Sequence, residues 1–396
     1  RYGEIVLTTG RQFQPTATYE PGSPEAAALA EANELSRVTI DDGRGSQNPD
    51  PAYHPNGAVF DMNNLFRGGD TVWNVTGVVD YNYGAYKVQP TQGADYTPAN
   101  PRLVEPVDVG GNLKVASFNV LNYFTTLDDG VNDICGPSGD MECRGADTVE
   151  EFERQRAKII SAIQTIDADV VGLIEIENNE FEAVADLVDG LNDVMGAGTY
   201  AYVDTGYIGT DAIKVAFIYK PAAVSLVGDY AILDSSVDSR FIDTRNRPVL
   251  AQTFMDNATG GIFTVAVNHL KSKGSPCDDI GDPDLGDGAG NCNLTRETAA
   301  MAMVDWLAAD PTGSGDADYL VIGDMNAYYL EDPIEAMRDG GLVDLLGGSG
   351  TPYSFVYDSQ AGAYDYALAS ASLAGQVTET IEWHINADEP PVLDYN

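Results

Sequence analysis

The sequence predicts a chain in two parts, a small all-β region followed by a larger α/β domain. Residues 1 to about 105 carry short runs of β-forming residues separated by Gly, Pro and Asn clusters. From Lys114 onward, apolar runs alternate with amphipathic stretches of helical period, the pattern of an α/β fold. A length of 396 residues exceeds one ordinary core and suffices for two.

Taken in order, VTIDDG at 38–43 and GDTVWNVTGVVDYNYGAYKVQP at 69–90 supply the strands of the first region. TPANPRLVEPVDVGGN, with three prolines and a Gly pair, reads as a linker, which gives boundaries of 1–105, 106–112 and 113–396. KVASFNVLN is an apolar strand. TVEEFERQRAKIISAIQTI then opens with a capping box, Thr148 with Glu151, and places Phe152, Ile159, Ile160, Ile163 and Ile166 on one face. DVVGLIEIE completes a strand, helix, strand unit. Further strands follow at IKVAFIY, IFTVAVNHL and YLVIGDMN, with TRETAAMAMVDWLAA as a helix between the last two. Two Gly- and Asp-rich loops, 126–147 and 273–294, contain every cysteine.

Sixty-two acidic against 21 basic residues give a formal net charge of −41, a surface that repels bare nucleic acid and anionic membranes. Disorder is excluded by 21 Tyr, 12 Phe and patterned apolar segments. Such acidity suits a salty or cation-rich medium. No apolar run approaches a membrane span, the first residues lack the pattern of a signal peptide, and an opening Arg reads as a processed or excised fragment. Cys135, Cys143, Cys277 and Cys292 form two close pairs within turn-forming residues. We read them as two local disulfides, Cys135 with Cys143 and Cys277 with Cys292, and hence an extracytoplasmic protein; a zinc site is the rival reading.

Apolar strands end repeatedly in a carboxylate, amide or imidazole: Asn119 in SFNVLN, Glu175 and Glu177 in LIEIEN, His269 in VNHLKSK, Asp324 and Asn326 in VIGDMNA. Strand ends of an open α/β sheet converge on one crevice, so these groups can meet. Hard oxygen ligands of this kind suit Mg²⁺, Mn²⁺ or Ca²⁺ rather than zinc.

With these motifs in this order, residues 113–394 resemble the endonuclease/exonuclease/phosphatase superfamily, whose members include pancreatic deoxyribonuclease and abasic-site endonucleases. The resemblance implies a four-layer sandwich of two packed β-sheets flanked by helices. It further implies that Asn119, Glu175 and Asp388 position Mg²⁺ or Mn²⁺; Glu389 stands where the family has a second His and, as a carboxylate, is expected to help hold the metal. Asp324 would activate the water, Asn326 hold it or a phosphate oxygen, and His269, polarised by Asp365 of AYDYAL, act on the phosphate. Arg247 in RNRPVL resembles an Arg-x-Pro element that approaches substrate phosphate. The first region resembles the oligonucleotide-binding barrel found ahead of the catalytic domain in large secreted bacterial nucleases, and the whole looks most like those enzymes. The implied function is a secreted, metal-dependent nuclease, most naturally a deoxyribonuclease with RNA as a further substrate, acting as a monomer without membrane engagement.

Two rivals remain. One is a phospholipid phosphodiesterase of the same superfamily, although no aromatic membrane hairpin stands out in the sequence. The other is a non-catalytic matrix protein that binds Ca²⁺ and extracellular DNA. Asp278, Asp279, Asp282, Asp284 and Asp287 are the candidate structural Ca²⁺ ligands, with a solvated acidic loop as the alternative. The first region is expected to assist substrate binding rather than chemistry.

Overall fold

The computed structural model describes residues 2–347 and 352–393. Two sheets pack face to face. One has the strand order Ala201–Tyr202, Ile213–Tyr219, Val170–Glu177, Val115–Tyr123. The other runs Val224–Leu233, Arg247–Asp256, Ile262–His269, Tyr319–Asp324, Asp365–Ala369, Val343–Asp344. Val170, Ile174, Val215 and Phe217 of the first sheet meet Leu250, Phe254, Val265, Val267, Leu320 and Ile322 of the second in one buried cluster. The sheets approach closely at Gly172, where a Cβ would lie 2.7 Å from Ile322 Cδ1 and 3.0 Å from Val267 Cγ2.

Helices cover both outer faces. Val149–Ile166 and Glu182–Met195 pack on the first sheet. Ile159, Ile160 and Ile163 are buried there with Phe152 and Ile166 beside them, as the periodicity predicts. The capping box forms as read: Glu151 N–H donates to Thr148 Oγ1 at 3.2 Å, and Thr148 N–H to Glu151 Oε2 at 3.2 Å. Asn293–Ala308 and Asp332–Asp339 cover the second sheet. The result is the four-layer sandwich that the resemblance implied.

The first region departs from expectation. Its main sheet is four-stranded, in the order Glu4–Thr8, Arg37–Asp41, Ala85–Pro90, Gly77–Asn82, and does not close into a barrel. Nor is it all-β. Pro24–Leu35 is a helix, capped by Ser23 Oγ accepting from Ala26 N–H at 3.1 Å and opened by a proline at its first position. The edge strand Gly77–Asn82 is exposed throughout. Tyr81, Tyr83 and Tyr86 stand out of its hairpin as an exposed aromatic cluster. No helix among the described residues is long and apolar enough to cross a membrane.

This region is docked on the α/β domain. Gln12 and Phe13 pair in parallel with Gln360 and Ala361, and Thr16 Oγ1 donates to the fully buried Glu331 at 2.7 Å. Arg11 Nη1 meets Asp388 Oδ1 at 2.8 Å, and the Asp388 side chain is fully buried. Removing one partner of such a pair strands a charge away from water. Arg11→Ala is therefore expected to lower the unfolding free energy by about 3 kcal/mol in urea titration. A change below about 0.5 kcal/mol, the scale of an exposed pair, would show that the docking contributes nothing.

Candidate active site

The register of the second sheet builds the site. Arg247 pairs with His269, His269 with Asp324, and Asp324 with Asp365, so the four stand in one row across neighbouring strands. Side chains alternate along a strand. The alternation that turns Val265, Val267, Leu320 and Ile322 into the inter-sheet core therefore turns His269 and Asp324 to the same face, one step beyond it.

Gly323 makes this junction possible. It adopts φ +132°, and a Cβ there would lie 2.1 Å from the carbonyl oxygen of Asn268. Only glycine fits at that approach. Beyond it, Asp324 Oδ1 accepts from Asn326 N–H at 2.8 Å, while Asn326 Nδ2 donates to Leu270 O at 3.0 Å. Asn326 thus ties the two strand ends together.

Glu175 comes from the facing sheet by way of a bulge. Ile176 pairs with Lys214 and Leu173 with Ala216, which leaves Ile174 and Glu175 opposite Val215. Leu173 and Ile176 consequently both face the helices, and Glu175, at φ +64°, is turned out of the regular alternation. Its carboxylate accepts from Asn119 Nδ2 at 3.1 Å and from Asn122 N–H at 3.2 Å. The buried Gln155 holds the irregular segment by donating to Val120 O at 3.1 Å and Leu121 O at 2.6 Å. His269 Nε2 lies 3.9 Å from Glu175 Oε1 and 3.8 Å from Asp324 Oδ2, too far for direct hydrogen bonds and within reach of a shared third atom.

Burial, reinforced by Arg247, Lys271 and Arg144, holds the His269 pKa well below the usual imidazole value, so the ring is neutral near neutral pH. Burial raises the Asp324 pKa far above the usual carboxylate value; the charges of Asp365 and Glu175 raise it further, against the Asn326 N–H and Arg247. Asp365 is also pushed up, by burial and by Glu382 and Glu175, with Ser354 opposing.

The placements of the remaining residues differ from expectation. Asp365 makes no hydrogen bond to His269, because Asp324 stands on the strand between them. Asp388 and Glu389 make no contact with Asn119 or Glu175 among the described residues. Asp388 instead accepts from Arg11, from Asn100 at 2.8 Å and from Tyr353 at 2.9 Å. Glu389 faces Arg67 Nε at 2.7 Å and Arg102 Nε at 3.1 Å. Both are committed to arginines of the first region, which composition gives no means of foreseeing. His384 stacks on Tyr353 with ring centroids 3.9 Å apart, and its Nε2 lies 2.7 Å from Tyr353 O. Glu382, close to Asp365, was not singled out in the sequence; it accepts from Tyr353 N–H and keeps Oε1 buried without a partner.

Both disulfides form as read, Cys135–Cys143 and Cys277–Cys292. Four of the five acids of the second loop are occupied locally. Asp279 pairs with Arg245, Asp284 and Asp287 close turns at Gly286 and Ala289, and Asp282 accepts from Thr295 N–H and Oγ1 at 2.7 Å, capping Asn293–Ala308 from outside. They do not converge as a Ca²⁺ cage, and among the described residues no group of three or more His, Cys, Asp or Glu does.

Residues 116–385, well over half of the chain, match the Endonuclease/Exonuclease/phosphatase family. The chain belongs to that family. It is accordingly a phosphoester hydrolase by family. Solved structures similar to it include an endonuclease/exonuclease/phosphatase family protein of Bacteroides thetaiotaomicron, at 18% identity and TM-score 0.44 over 66% of this chain and 83% of that one. A mannosyl-6-phosphatase of the same organism matches at 17% and 0.44 over 66% and 86%. A Bacteroides vulgatus family protein matches at 12% and 0.44 over 70% and 95%. No curated protein sequence matches.

The row generates a pH test. The Asp365 charge is one of the causes that raise the Asp324 pKa, so an amide at position 365 lets Asp324 ionise at lower pH. Asp365→Asn should move the acidic limb of the kcat/KM profile down by about one pH unit, whatever its effect on the plateau. An unmoved limb, or one moved upward, would show that the two carboxylates do not act on each other.

Proposed function

We propose that this protein is a secreted, divalent-cation-dependent nuclease that hydrolyses phosphodiester bonds of extracellular DNA. The observation carrying the reading is the convergence of Glu175, His269 and Asp324 at the open end of the inter-sheet core, with Arg247 beside them. Three carboxylates, Glu175, Asp324 and Asp365, repel one another there. Such an excess of buried negative charge fits a cation. Mg²⁺ and Mn²⁺ sites fit this open arrangement better than a closed cage would, since Mg²⁺ is commonly held by one or two carboxylates plus substrate phosphate.

Glu175 and Asn119 are the residues that would hold the ion, which supplies positive charge against the phosphate oxygens when bound. Asp324, whose pKa burial raises well above that of an ordinary carboxylate, takes a proton from the attacking water. Neutral His269 donates a hydrogen bond to a phosphate oxygen, Arg247 pairs with phosphate, and Asn326 fixes the two strand ends that carry His269 and Asp324. As water bonds to phosphorus, the P–O bond to the leaving oxygen breaks, and that oxygen takes its proton from solvent. Asp365 acts through Asp324 by raising its pKa. Two disulfides in short loops support an oxidising, extracellular setting.

One observation favours a second reading. The exposed hairpin tyrosines Tyr81, Tyr83 and Tyr86 suit contact with a lipid interface, where an aromatic ring has an apolar body and a polar tip. Phospholipid phosphodiester is the substrate that reading requires.

The enzyme incubated with DNA, RNA and phosphatidylcholine or sphingomyelin vesicles decides between them. DNA cleavage that is abolished by chelator and restored by Mg²⁺ or Mn²⁺ is expected, and His269→Ala should lower turnover by about two to four orders of magnitude. Undiminished cleavage in excess chelator, or headgroup release without DNA cleavage, would overturn the proposal.

A further inference from the structure

A surface of net charge −41 has to receive a polyanion somewhere, and one edge of the site is built differently from the rest. The Cys135–Cys143 disulfide is buried with Phe124, Ala212 and Ile213 in a small core of its own. Arg144 follows Cys143 directly, and Asp211 precedes Ala212 directly, so the packing of this core sets the two side by side. Gly145 lies hard against Phe124, with a Cβ there only 2.4 Å from Phe124 Cβ, which fixes the loop backbone next to Arg144.

Asp211 is shared between two arginines. Arg144 Nη2 meets its Oδ1 at 2.7 Å, and Arg247 Nε meets its Oδ2 at 2.9 Å. Arg247 pairs across the sheet with His269. Exposure of the side chains rises outward from the site, 13% for Arg247, 27% for Asp211 and 36% for Arg144. Among the described residues Arg247 hydrogen-bonds only through Nε and Arg144 only through Nη2, so each guanidinium keeps further donors for a ligand.

We propose that Arg144, aligned by Asp211 and carried by the first disulfide loop, extends the site outward from Arg247 as a clamp for the backbone phosphate next to the scissile one. Two guanidinium forks on one carboxylate leave a net positive charge with fixed direction. That geometry suits the planar bidentate recognition of phosphate oxygens. The ligand class is therefore a phosphodiester with at least two consecutive phosphates. The inference rests on the nuclease reading and narrows it, because a single-phosphate substrate has no second phosphate to engage Arg144.

The test compares wild type, Arg144→Gln and Arg144→Lys in two assays. The first is binding of a fluorescently labelled DNA duplex in excess chelator, followed by anisotropy over a salt series. The second is Mn²⁺-supported hydrolysis of DNA and of bis(p-nitrophenyl) phosphate, which has one phosphate. Arg144→Gln should weaken DNA binding roughly tenfold and flatten the log–log salt dependence by about one. Its KM for DNA should rise by a comparable factor, while kcat/KM for the small diester, read at alkaline pH where His269 is neutral with or without Arg144, changes by less than about threefold. Arg144→Lys should recover the salt slope and only part of the affinity, since the charge returns without the fork. Equal effects on both substrates, or an unchanged salt slope, would overturn the clamp. Absence of hydrolysis of either substrate by wild type with any divalent ion would instead overturn the nuclease reading, and the chelator assay would still report on Arg144.

Discussion

The parallel pairing of Ile262–His269 with Tyr319–Asp324 is the constraint on which the site depends. It sets His269 directly beside Asp324, and it closes only because residue 323 lacks a side chain where the Asn268 carbonyl passes. A slip of one residue would turn His269 toward the helices and bring Asn268 into the row. The flanking strands extend the same register to Arg247 on one side and Asp365 on the other. A sheet that buries its inner face thus delivers an imidazole, two carboxylates and a guanidinium to one line, at a place where charge would otherwise be excluded.

The facing sheet contributes by irregularity rather than by register. The bulge at Glu175 and the left-handed backbone at Leu121 and Asn122 together give one carboxylate an amide donor and a backbone donor. Long loops then complete the rim. Fully buried Arg296 binds Lys271 O, Asn291 O and Ala289 O, fastening the second disulfide loop to the segment just after His269. Lys271 and Lys273 in that segment both have pKa values pushed down to about 8, burial being the largest cause, with nearby arginines lowering both and Glu331 opposing the shift at Lys273. The molecule is acidic in sum, yet the wall behind His269 is cationic.

The sequence made regular elements legible and irregular ones opaque. Strands such as Ile213–Tyr219 and the helix Val149–Ile166 follow from period and capping alone. The strand-end residues could be picked out, but their neighbours in space could not. That Asp365 lies beyond Asp324 follows from strand order, which residue patterns do not encode. The bulge at Glu175 carries no glycine or proline to announce it. The place of Asp388 and Glu389 in a motif suggests metal ligands, and says nothing of the ion pairs they make with Arg11, Arg67 and Arg102, hundreds of residues away. The helix Pro24–Leu35 has its signal in Ser23, Pro24 and an alanine-rich run, set among turn residues that mask it.

The most direct test of the account measures protons. A row that crowds buried Asp324 against Asp365 and Glu175 should hold its proton to higher pH than an ordinary carboxylate does, and a cation that neutralises the cluster should expel it. Calorimetric titration with Mn²⁺ between about pH 6 and 7, in buffers of different ionisation enthalpy, reads that proton directly. The account predicts net proton release that shrinks in Asp324→Asn. Tight binding with no proton release, or release that survives Asp324→Asn undiminished, would contradict it.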